Sequence, residues 1–243
     1  MMQRARRIGF GLFTTLAIVG FAGQASAADE RYEVSSIKAV RSTLVDTAAA
    51  LQQGSIPKAK EAFAAYDSAW NGVEVYIATR SKPMYDKIEL DLQARVDKEM
   101  DQPMPDMAKL KADVQEIIGK YDEAIAMVSK AAPLNPLFDD VARLRMVRSH
   151  LREVTPALKA GNIAKAKKSY EAFDAQWDSI EDLIKARSAD AYVAVEKGMI
   201  QIEQELMPAK PDAAKVTTLV TEVNTQYNAA LAMIVKDARA TIK

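Results

Sequence analysis

Residues 60–89 read KEAFAAYDSAWNGVEVYIATRSKPMYDKIE, and residues 167–196 read KKSYEAFDAQWDSIEDLIKARSADAYVAVE. At a constant offset of 107 the two segments share Lys60/Lys167, Asp67/Asp174, Trp70/Trp177, Glu74/Glu181, Ile77/Ile184, Arg80/Arg187, Ser81/Ser188, Tyr85/Tyr192 and Glu89/Glu196. The chain is therefore a duplication, and whatever one copy forms the other must form as well. Positions 60, 63, 67, 70, 74 and 77 step by three or four, which places them on one stripe of a helix. Trp70 and Ile77 predict that this stripe faces a core. Asp67 and Glu74, with Asp174 and Glu181 in the second copy, break its apolar character. A carboxylate on an apolar face is costly unless it is paired, hydrogen-bonded or bound to a metal.

Outward from this stretch the pattern stays helical. Ile37, Val40, Leu44 and Leu51 mark a preceding helical face that Gly54 ends. Ser55 and Pro57 then open the helix that carries the stripe. That helix runs to about Arg80, where Ser81 and Pro83 restart the chain; Ser188 repeats the signal, so both serines read as caps. A third helix carries Tyr85, Ile88, Leu92 and Val96. Residues 101–106, DQPMPD, make a turn matched by residues 208–212, and a fourth helix carries Leu110, Val114, Ile117, Tyr121, Ile125 and Val128. Residues 131–136, AAPLNP, are a linker. Beyond it Arg41, Leu51 and Gly54 return as Arg148, Leu158 and Gly161, and Tyr121, Ala126, Met127 and Lys130 return as Tyr227, Ala232, Met233 and Lys236, now at an offset of 106. The expected fold is all-α, two tandem repeats at 31–132 and 137–243, each an up-down-up-down four-helix bundle.

Residues 1–27 read differently. Arg4, Arg6 and Arg7 precede a short apolar run, residues 8–20, and Ala25-Ser26-Ala27 forms a small-residue cleavage site. This is the pattern of a secretory signal peptide, and it predicts a periplasmic protein beginning at Ala28 with no membrane span after cleavage. Removing those three arginines from 33 basic residues leaves 30 against 33 acidic ones, a balance with no electrostatic footprint for nucleic acid. The absence of cysteine excludes thiolate metal sites and cysteine catalysis. His150 is the single histidine, and its counterpart is Thr43, so neither a His-based triad nor a Glu-x-x-His di-iron pattern is present. No enzyme is expected. Met84, Met100, Met104 and Met107 lie close in sequence. Thioether sulfur suits Cu(I), and equally a plastic core.

The carboxylates carry the functional question. Asp67 and Glu74 lie two turns apart, about 10 Å. Glu89, on the following helix, reaches the height of Glu74 if the two helices pack antiparallel, and Tyr85 sits one turn before it. Oxygens converging in this way suit a hard cation such as ferric iron, manganese or calcium. The alternative is that Arg41, Lys60 and Arg80, which also recur, neutralise these acids as internal ion pairs. The segments Trp70-Asn71-Gly72-Val73-Glu74 with Lys87-Ile88-Glu89, and Trp177-Asp178-Ser179-Ile180-Glu181 with Ala194-Val195-Glu196, resemble the periplasmic helical domain of bacterial Ftr-type high-affinity iron permeases. The permease portion and its Arg-Glu-x-x-Glu motifs are absent from this chain. The resemblance implies iron handling in the cell envelope, with Glu74, Glu89, Glu181 and Glu196 as ligands. Asp67 and Asp174 join them from the stripe itself. Two readings therefore stand: an exported, non-catalytic binding module for iron or another hard cation, and a structural or interaction scaffold meeting an envelope protein partner.

Overall fold

Gly54 and Gly161 occupy equivalent places in the two halves, with φ of +73° and +69°. Each closes a helix with the same two backbone bonds. Ser55 N–H reaches Ala50 O at 3.0 Å and Gly54 N–H reaches Leu51 O at 3.1 Å; Asn162 and Gly161 bond to Ala157 and Leu158, both at 2.9 Å. Turning the chain back onto its last carbonyls needs a left-handed residue, which glycine supplies without a Cβ clash. The structure, a computed structural model, describes residues 30–242. The expected signal peptide, 1–27, lies outside the described residues.

The described elements are all helical: α1 (Tyr32–Gln52), α2 (Ile56–Arg80), α3 (Lys82–Asp86), a π-helical segment (Lys87–Gln93), α4 (Ala94–Met100), α5 (Met107–Lys130), α6 (Leu137–Lys159), α7 (Ile163–Trp177), α8 (Glu181–Lys185), α9 (Ala189–Leu206) and α10 (Ala213–Ala240). Ser81 and Ser188 do cap their helices, accepting from Met84 N–H at 3.2 Å and Ala191 N–H at 3.1 Å. Ser55 holds the N-cap position of α2 with no side-chain bond. Asp106 and Asp212 cap α5 and α10, each accepting two backbone N–H groups. Unpaired amides at a helix start gain from such an oxygen.

Two differences in helix geometry separate the copies among the described residues. The π-helical segment holds one residue more than a regular helix would, and α9 has no such segment. Buried Ile88 and Leu92 match Val195 and Met199 at offset 107, whereas buried Val96 and Met100 match Ile202 and Leu206 at offset 106. The extra residue of the first half is thus absorbed as a wide helical turn, the usual accommodation of a one-residue insertion within a helix. The second difference is a break. The sequence predicts one helix through the stripe in both copies, and α2 is continuous, but its counterpart stops at Trp177 and resumes at Glu181. Ser179 Oγ and N–H both bond back to Gln176 O, at 2.6 and 3.1 Å. A serine competing locally for backbone acceptors ends the helix there.

Helix α2 lies between α1 and α6; α5 packs on α1, and α7 and α10 pack on α6, with α9 against α10. Residues 31–243 make one compact unit, and one continuous apolar core runs through both halves. The approach of α2 to α6 is close at Gly72, where an added Cβ would sit 3.1 Å from Met146 Cβ and 3.3 Å from Ala142 O. No described helix is long and apolar enough to cross a membrane.

Candidate functional site

The stripe on α2 is divided between core and rim. Phe63, Tyr66, Trp70, Val73 and Ile77 are buried, with Trp70 only 1% exposed. At about 100° per residue, Asp67 and Glu74 fall roughly 60–80° from the centre of that buried face. Glu74 is accordingly half-buried and Asp67 is exposed. The expectation that both acids point into the core is corrected by this rotation: they line the edge where α2 meets α6.

Across that edge α6 presents Arg145, Arg148 and Arg152. Arg145 Nη1 donates to Glu74 Oε1 at 2.5 Å, with both side chains about one-fifth exposed, at 18% and 19%. Burial raises the Glu74 pKa, Arg145 opposes that rise, and Glu89 adds to it. Partial desolvation of its carboxyl against α6 raises the pKa of Asp67, and Arg152 holds it down. The recurring cations proposed as neutralisers go elsewhere. Arg41 binds Asp122, at 2.5 and 2.9 Å. Arg80 pairs with buried Glu33 at 2.7 Å, and Lys60 stands 3.9 Å from Asp101. The spacing of Arg145, Arg148 and Arg152, three then four residues, already marks a basic stripe on one helix face. Nothing in the spacing says that its partner stripe belongs to the other half.

Glu89 and Glu196 have the same local role. The indole Nε1 of Trp70 donates to Glu89, and that of Trp177 donates to Glu196. Tyr85 stacks on Trp70 with ring centroids 6.3 Å apart and an interplanar angle of 11°; Tyr192 stacks on Trp177 at 6.4 Å and 11°. The duplicated unit is therefore a tryptophan held by a carboxylate at its edge and a tyrosine on its face. Burial raises the Glu89 carboxyl, the Trp70 N–H lowers it, and Asp67 raises it further. In the second half Glu181 opens α8 and bonds to the Tyr192 hydroxyl, while burial and nearby Glu196 raise its pKa. Asp174 is half-buried on α7.

An acid missed in the sequence is Asp97 on α4. Its pKa is raised to about 6, by burial first and then by Asp67, Asp101 and Glu89. Its second-half counterpart at offset 106 is Glu203, and its apolar neighbours gave no reason to single it out. Among the described residues, no group of three or more His, Asp and Glu side chains comes together to hold a metal ion. The three expected ligands of the first half lie at the α2–α6 edge (Asp67, Glu74) and at Trp70 (Glu89), and those of the second half on α7 (Asp174), on α8 (Glu181) and at Trp177 (Glu196). His150 meets Gln176 at 3.0 Å, and burial lowers its pKa. Met100 is core filling, Met84 and Met107 pack against the core, and Met104 is 90% exposed.

A cleft of about 470 Å³ opens beside the Glu74–Arg145 pair, between α2, Tyr85, α6 and the end of α10. Phe138, Val141 and Ala238 form its apolar floor, and Arg239 stands at its rim. No known protein family, curated protein or solved structure matches the chain.

Proposed function

We propose that the chain is a non-catalytic helical scaffold of the cell envelope, a duplicated four-helix unit whose repeated acids serve its own fold. One observation carries this reading: in both halves the carboxylate 19 residues after the tryptophan accepts the indole N–H. A carboxylate engaged in this way ties the Trp-bearing helix to the following one, α2 to the π-helical segment and α7 to α9. Hydrogen bonds to a charged group contribute about 1.5–3 kcal/mol each. Export rests on the signal-peptide pattern of residues 1–27, and an envelope protein is the partner such a scaffold implies.

The iron or hard-cation reading has one observation in its favour. Asp67 raises the pKa of Glu89, Asp67 and Glu89 both raise that of Asp97, and none of the three makes an ion pair within 4.0 Å among the described residues. A bound cation would relieve that repulsion. The two readings separate in a thermal-stability titration of chelator-stripped protein with ferric, manganous and calcium ions. A ligand at one hundred times its dissociation constant stabilises the folded state by about 2.7 kcal/mol. A scaffold shows an unchanged melting temperature with every ion. A rise with one ion that Glu89→Gln abolishes refutes the scaffold reading and establishes the metal site.

A further inference from the structure

One ion pair of the first half keeps its geometry in the second but loses its charge. In the first half Arg41 on α1 binds both carboxylate oxygens of Asp122 on α5. Its equivalent, Arg148 on α6, donates from Nη1 to Asn228 Oδ1 on α10 at 2.6 Å. Asn228 is the offset-106 counterpart of Asp122, so the geometry is kept while the negative charge is gone. Arg148 is half-buried, and its Nε is buried with no hydrogen-bond partner among the described residues. Burial, Arg152 and Arg145 together lower its pKa, the signature of a cation crowded by other cations.

Arg148 opens onto a groove of about 530 Å³ between α6 and α10, walled by Arg145, Lys236 and Arg239 as well. Lys236 and Arg239 are exposed and make no ion pair among the described residues. The groove shares Arg145, Val235 and Arg239 with the cleft beside Glu74, so the two adjoin. Four cations thus face one carboxylate, Glu74, which Arg145 already engages. Beside the basic end the cleft presents Val75, Ala78, Val235 and Ile242 above its buried floor of Phe138, Val141 and Ala238. Each volume lies within the range of small-molecule pockets, about 300–1,000 Å³, where an apolar wall and a few polar groups fix orientation.

We propose that this groove binds an anionic amphiphile, a single alkyl chain with a phosphate or carboxylate head. The head lies against Arg148, Lys236 and Arg239, and the chain lies along Val75, Ala78, Val235 and Ile242. The proposal is independent of the scaffold reading, since it uses none of the tryptophan-bound carboxylates. The apolar end is a partly enclosed cleft and not a stripe along one helix, which favours a flexible chain over a helical partner.

The test is calorimetric titration of the full chain with dodecyl phosphate below its micelle concentration. Inorganic phosphate, dodecyl maltoside and an acidic amphipathic helical peptide serve as comparisons. Dodecyl phosphate is expected to bind one to one, at least tenfold more tightly than either phosphate or the maltoside. Lys236→Gln with Arg239→Gln should weaken it tenfold or more at an unchanged melting temperature. Asn228→Asp, which restores the first-half pair, should weaken it as well while leaving the protein at least as stable. Absence of dodecyl phosphate binding overturns the proposal. So does equal binding of the maltoside or of bare phosphate, peptide binding in place of amphiphile binding, or parent-like affinity in these variants.

Discussion

The bond between Trp177 and Glu196 can be measured as a coupling energy. Trp177 is 1% exposed, so its indole N–H has no access to bulk water once its acceptor is lost. Glu196→Ala leaves that donor buried and unpaired, a cost of about 1–3 kcal/mol. Trp177→Phe removes the donor but also ring volume and part of the stack on Tyr192, so the single variant reports packing as well. The double variant cancels both of these and leaves the bond. The expected coupling is about 1.5–3 kcal/mol, the range for a hydrogen bond to a charged group. It corresponds to a roughly ten- to hundredfold change in the folding equilibrium. The assay is equilibrium urea unfolding followed by far-ultraviolet circular dichroism, which does not depend on the tryptophan being removed. Distant, independent sites add within about 0.3–0.5 kcal/mol. A coupling inside that margin refutes the claim that the carboxylate serves the fold. The Trp70–Glu89 cycle should return a value of the same size, because the arrangement is duplicated.

Stability should increase as pH falls from 7 towards 5, because Asp97, raised to about 6, takes up its proton in the folded state before the unfolded chain does; stability is lost again as pH rises through 6. His150, lowered by burial, acts in the opposite sense in this window, so the measurement is the difference in urea midpoint between parent and Asp97→Asn across pH, which should vanish at the acid end. Gly72→Leu should cost about 1–3 kcal/mol by overpacking α2 against Met146 and Ala142, whereas a similar substitution at its counterpart Ser179, exposed at the helix break, should cost under about 0.5 kcal/mol in the same urea melts. Deleting Ala94 restores between Leu92 and Val96 the three-residue spacing found between Met199 and Ile202, so the variant should keep a cooperative melt; deleting Gln201 from regular α9 should abolish one.

Repetition and local chemistry were legible along the chain. The identities at offset 107 establish the duplication, the three–four spacing establishes helix, and Gly54, Gly161, Ser81 and Ser188 mark helix ends, because each depends on a residue's own backbone preference or its nearest neighbours. The change of offset from 107 to 106 already carried the inserted residue, and the structure locates it as the π-helical turn beside Glu89. What the acids do depended on tertiary structure. Periodicity places Glu74 near an apolar face, but a rotation of under a quarter turn separates core from rim, and only the packing of α2 on α6 fixes that rotation. For the same reason Glu74 meets Arg145 of the other half and neither Arg41 nor Arg80 of its own. The exchange of Asp122 for Asn228 is visible in the aligned halves. Its consequence, an arginine sharing a groove with Arg145, Lys236 and Arg239, appears only when α6 and α10 are brought together.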